Sequence, residues 1–191
     1  MYDAAGDPYC YPGTSLLKNI PGLKTQAALD EFEAAMTAQR AEEPLPTGRL
    51  SASHYRAIHH HLFQDIFAWA GRYRTVRLSK EGSAFCYPQY IDREMKALFS
   101  DFRNKQSLRG LARDSFAREA AAFLARLNAI HPFREGNGRT QLSFLSLVAY
   151  RASHPLLLDR LDPERFLSAM VSSFRGNERP LHSELLTLIE E

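Results

Sequence analysis

His131-Pro132-Phe133-Arg134-Glu135-Gly136-Asn137-Gly138-Arg139 is the stretch from which the rest of this chain can be read. Phe123, Leu124, Leu127 and Ile130 run up to it at helical spacing, and Leu142, Leu145 and Val148 continue beyond it. The nine residues therefore form a loop between two helices. Two glycines let the main chain take positive φ and let a ligand come close to it. With the second helix starting near Gly136, its first N–H groups lack intrahelical acceptors and carry the positive end of the helix dipole. That is an anion site, and phosphate is its usual occupant. Arg139, in the first turn, brings a planar fork of donors to the same place. Glu135 supplies the hard oxygen that Mg²⁺ takes alongside phosphates. His131, with an ordinary pKa of about 6.5, is a general base near neutral pH. A phosphate cradle, a metal carboxylate and a base are the parts needed for transfer from a nucleotide. A zinc site on His131 and Glu135 is a poor alternative. Pro132 opposes a helix that would set both on one face, and no third ligand is near in sequence.

The same nine residues resemble the signature of the Fic family, HxFx(D/E)GNGRxxR. The family mostly transfers AMP from ATP to a hydroxyl of a target protein. The resemblance implies His131 as the base that deprotonates that hydroxyl and Phe133 as a buried anchor. It implies Glu135 as the Mg²⁺ ligand, Gly136, Asn137 and Gly138 as the hole for the phosphates, and Arg139 as a contact to them. One position departs: the final arginine of the pattern falls on Leu142. In the family that arginine holds the γ-phosphate and meets an inhibitory glutamate carried by an (S/T)xxxE(G/N) helix. Thr187/Glu191 and Ser115/Glu119 have the Ser/Thr-x-x-x-Glu spacing, but Leu142 cannot form the pair, so a separate small antitoxin is the expected regulator. Two other readings stay open. The kinase-like Doc branch binds its nucleotide reversed but lacks the Gly-Asn-Gly run. A nucleotide-binding interaction module without turnover is the other, and the intact base, carboxylate and arginine argue against it.

Outward from the loop, the pattern is mainly helical. Helices are expected over 25–40, 51–67 (capped by Ser51 or Ser53), 89–104 and 112–130, then from the loop to about Tyr150, from Asp162 to Gly176, and over 180–190. His59-His60-His61 cannot share one ion, since consecutive helical residues point about 100° apart. Trp69, the only tryptophan, is expected in the core. The segment Asp65–Arg72 also resembles the apolar Trp-Ala-Gly stretch that precedes the flap in the Fic family. Thr75 to Tyr87 alternates and turns at Glu81-Gly82, which predicts a hairpin. The resemblance makes this a flap over the active-site loop that pairs with an extended segment of the target, with Lys80 and Phe85 as docking residues. Residues 1–24 are rich in Asp, Pro, Gly and Tyr and read as a turn-rich arm, tacked down by Leu16, Leu17, Ile20 and Leu23.

The expectation is one mostly α domain over 1–191, with one β-hairpin flap over the loop at 131–139. The 191 residues suffice for one core. A net charge of +2 gives no general affinity for nucleic acid. No apolar run approaches the roughly 18 residues of a membrane span, and the N-terminus has no secretory pattern. Cys10 and Cys86, the only cysteines, make no disulfide framework. These features lead to the expectation of a cytoplasmic chain, and the family resemblance implies a bacterial one, or one translocated into a host cell if it belongs to an exported effector.

Overall fold

The structure is a computed structural model, and it describes residues 6–80 and 83–190, the side chains of Lys80 and Ser83 excepted. Helices dominate: α1 (Gln26–Glu42), α2 (Ala52–Phe63), α3 (Ile91–Asn104), α4 (Arg113–Ile130), α5 (Asn137–Arg151), α6 (Pro163–Phe174) and α7 (Arg179–Leu188). The starts follow local chemistry. Thr25, Ser51 and Asp162 cap α1, α2 and α6, each accepting from a first-turn N–H. Two compact units result. One comprises Met1–Asp92 with Pro132–Thr140, the other Arg93–His131 with Gln141–Glu191.

In the first unit, Tyr55, Ile58, Leu62 and Phe63 of α2 are buried with Leu29 of α1, Ile66, Phe67 and Phe133. Arg40 of α1 holds Asp65 with two hydrogen bonds of 2.7 and 2.9 Å. α2 ends at Phe63, short of the expected Phe67, and the chain goes on in tight turns to Gly71, at φ +77°. Trp69 is only half-buried, stacked on Phe67 with ring centroids 4.5 Å apart. In the arm, Leu16 and Leu17 are buried as expected, whereas Ile20 is 55% exposed and is tied down by its N–H, bonded to Ile66 O.

The hairpin is shorter than Thr75–Tyr87. Strands β1 (Ser79–Lys80) and β2 (Ser83–Ala84) pair in antiparallel register, Ser79 with Ala84 and Lys80 with Ser83. The Glu81-Gly82 turn lies outside the described residues. Below this ladder the two legs are joined by a buried side chain. The Arg74 guanidinium donates to Val76 O and to Cys86 O, each at 2.6 Å. An arginine thus ties the two legs together below the paired residues.

In the second unit, Phe99, Phe102, Phe123 and Phe144 form one aromatic cluster with neighbouring centroids 4.8–6.2 Å apart. α4, α6 and α7 pack together. Asn128 donates to Met170 O, and Arg113 donates to Leu186 O and Ile189 O. Among the described residues no helix is long and apolar enough to cross a membrane.

Candidate active-site loop

α4 stops where the sequence forces it to. His131 is its C-cap, in the left-handed region at φ 47° and ψ 64°, and its N–H still reaches Leu127 O at 3.0 Å. The following Pro132 disfavours helical backbone at His131 and has no N–H to offer. Histidine is among the few non-glycine residues that adopt this region with some frequency. The imidazole is half-buried.

From Pro132 the loop belongs to the first unit, and every residue in it is anchored. Arg74 N–H donates to Pro132 O at 2.9 Å. Phe133 is fully buried, stacked on Tyr55 and tilted against His59. Arg134 is buried as well, because its Nε donates at 2.7 Å to Asp7 of the arm, an equally buried carboxylate. Asn137 closes the loop on itself: Oδ1 accepts from Phe133 N–H at 3.0 Å, and Nδ2 donates to Phe133 O at 2.9 Å. Its side-chain amide is therefore spent on loop geometry, and what it offers a ligand is its backbone N–H.

Gly136 sits at φ +80°, and a Cβ there would lie 2.4 Å from the Phe63 ring. Only glycine fits. Its carbonyl accepts the first intrahelical bond, from Thr140 N–H. The N–H groups of Asn137, Gly138 and Arg139 thus form the first turn of α5, where a helix leaves donors for an anion. The Glu135 carboxylate accepts from Gly136 N–H at 2.9 Å, which fixes its direction beside that turn. An ionised oxygen donor next to a phosphate site fits Mg²⁺, which binds through one or two carboxylates and the substrate's phosphates. Among the described residues no group of three or more His, Cys, Asp or Glu could hold a metal ion alone.

Arg139 is already engaged. Its guanidinium bonds Glu33 of α1, reaches Thr37 Oγ1 at 3.4 Å, and lies 4.8 Å from the Phe63 ring centroid. Burial pushes the Glu33 carboxyl above its ordinary pKa, and Arg139 opposes that shift. A phosphate arriving at Arg139 must share or replace Glu33. Leu142, one turn on in α5, is half-buried. Phe85 is half-buried, its N–H bonded to Leu78 O. Lys80 contributes its backbone to the ladder.

Sequence reasoning missed three side chains here: Glu33, Arg74 and His59. The histidine run held a partial signal. Of its three members His59 is fully buried, His61 half-buried and His60 exposed, as one helical face predicts. His59 Nδ1 accepts from Gly71 N–H at 2.8 Å, and Nε2 lies 3.0 Å from Glu135 O. Burial holds its pKa down to about 3, so it is neutral at any working pH.

A helix N-terminus with a carboxylate directed beside it is an arrangement suited to an anion such as the phosphates of a nucleotide. The sequence profile of the Fic/DOC family matches residues 49–149, and this chain belongs to that family. It is 48% identical over 189 residues to "Probable protein adenylyltransferase y4lH" of Sinorhizobium fredii, covering 98% of each chain. It is 33% identical to "Probable protein adenylyltransferase Fic" of Escherichia coli, covering 97% of this chain and 93% of that one. Among solved structures, the BepC effector of Bartonella tribocorum with bound AMPPNP superposes with a TM-score of 0.85 at 28% identity, covering 95% and 96% of the two chains. The N-terminal Fic domain of a Bep effector of Bartonella quintana with bound ADP gives 0.84 at 32% identity, covering 95% and 94%.

Proposed function

We infer that this chain is a protein adenylyltransferase that moves AMP from ATP to a hydroxyl of a target protein. The observation that carries the reading is the complete loop from His131 to Arg139, set at the start of α5 in a chain whose near-full-length relatives bear that activity in their names. The first-turn N–H groups and Arg139 hold the phosphates. Glu135 would hold Mg²⁺, which when bound offsets phosphate charge. His131 takes the proton of the target hydroxyl as its oxygen bonds to the α-phosphorus, and the bond from that phosphorus to pyrophosphate breaks. The residues before Pro132 and after it act as one catalytic domain within 1–191. Most of the rate would come from positioning and charge stabilisation.

The hairpin around Phe85, with Lys80, would dock an extended segment of the target by strand addition. Support comes from its two-stranded sheet, in which each strand has one neighbour and so an outer edge. Regulation would come from a separate small antitoxin. Of the internal glutamates with inhibitory spacing, Glu119 is committed to Lys105, and Glu191 lies outside the described residues.

Labelled ATP incubated with the protein and a bacterial lysate tests the reaction. Transfer of label from the α position to protein is the expected result. Transfer from the γ position would mean phosphoryl transfer and would overturn the reading.

A further inference from the structure

We propose that His59 is a positioning residue for the catalytic loop, a neutral imidazole that sets the Glu135–Gly136 peptide through hydrogen bonds at both of its nitrogens. The proposal rests on the reading of this loop as the nucleotide site.

The tautomer follows from the partners. Gly71 N–H can only donate, so Nδ1 carries a lone pair. Glu135 O can only accept, so Nε2 carries the proton. Phe133, Phe63 and Trp69 wall the ring at 3.8, 4.7 and 5.9 Å between centroids, which holds its orientation. Gly71 delivers its N–H from φ +77°, where a Cβ would stand 2.9 Å from His60 Cβ.

A trans peptide is planar, and its C=O and N–H point in opposite directions. The carbonyl held by His59 and the N–H of Gly136 belong to the same peptide. Turning Glu135 O toward α2 therefore turns Gly136 N–H the other way, where it meets the Glu135 carboxylate. Phe63, one helical turn after His59, meets the same segment and excludes any side chain at Gly136. One face of α2 thus shapes the peptide between the proposed metal carboxylate and the phosphate-binding turn. A phenyl group would fill this apolar wall equally well. Imidazole is needed only because two backbone groups require one acceptor and one donor.

The test uses His59→Gln, whose amide reaches the place of Nε2, and His59→Asn, whose amide reaches that of Nδ1. ATP affinity is measured with Mg²⁺ and with chelator on variants shown by circular dichroism to be folded. The expected result is that His59→Gln stays within about threefold of the native protein with Mg²⁺. His59→Asn should lose about ten- to a hundredfold, the usual cost of removing the support of a metal ligand, with little change in chelator. On the native protein, ¹⁵N NMR should show a protonated Nε2 from pH 5 to 8. Equal Mg²⁺-dependent losses in the two variants, or an Nδ1-protonated ring, would overturn the proposal. None of these readouts needs turnover. A native protein that fails to move the α label would refute the transferase reading and leave the His59 measurements standing.

Discussion

His131 holds a left-handed backbone conformation that few side chains adopt; Pro132 keeps it out of the right-handed helical region without itself selecting the left-handed one. A test of its chemistry must keep the turn. Asparagine also tolerates left-handed backbone, so His131→Asn is the better-matched variant and His131→Ala the harsher one. Both should lower AMP transfer by about a hundredfold or more while ATP affinity stays near that of the native protein. Turnover retained in either, measured with α-labelled ATP, would remove His131 from the mechanism. Leu142 poses a different question. It follows Arg139 by three residues on α5, so the two side chains share neighbouring surface. Its half-burial leaves room for a longer side chain to reach outward. Leu142→Arg should add a charge-assisted hydrogen bond to the end of the polyphosphate, about 1.5–3 kcal/mol. ATP would then bind about ten- to a hundredfold tighter, with a smaller gain for ADP. Calorimetry with both nucleotides checks this. Unchanged selectivity in a protein of native melting temperature would place the γ-phosphate elsewhere.

At the level of elements, the hairpin owes its closure to an arginine. Two cross-strand pairs are too few to hold a flap. Arg74, buried among the carbonyls of Val76 and Cys86, substitutes for the missing ladder and also holds Pro132 O by its N–H. Arg74→Met keeps the stem and deletes the donors, leaving two carbonyls without their partner at about 1–3 kcal/mol each. Amide exchange over 76–87 should rise, and modification of the target protein should fall more than ATP affinity does. Phe85→Asp should lower target modification without the exchange increase, if Phe85 docks the target directly. Equal loss of ATP binding and target modification in both variants would mean that the hairpin is only structural.

For the molecule as a whole, much was legible before any coordinates. Helices written with clean apolar spacing, two of them with caps readable at Ser51 and Asp162, declared themselves locally, and so did the loop, whose glycines, histidine and arginine sit side by side in sequence. What stayed hidden depended on residues far apart in the chain: Asp7 with Arg134, Glu33 with Arg139, His59 with Glu135. A charged side chain on a helix reads as solvated until its partner arrives from elsewhere. The last of these pairs has a consequence for stability. His59 has a pKa of about 3 in the folded protein against about 6.5 unfolded. Between those values the unfolded chain binds a proton that the folded one refuses, so stability on this account rises with pH. It is fully present above about 6.5 and is lost as pH falls toward 3. From pH 7 to pH 5 the loss from His59 alone is about 2 kcal/mol, a large share of an ordinary 5–15 kcal/mol. Glu33 acts in the opposite sense. Burial raises its folded pKa, so its contribution falls as pH rises above the ordinary carboxylate range. Comparing variants separates the two. Urea unfolding at pH 7 and pH 5 should show the native protein losing about 2 kcal/mol more than His59→Gln does, because glutamine has nothing to titrate. The same loss in both proteins would assign the acid sensitivity to other groups, and would mean that the imidazole is not held neutral by its burial.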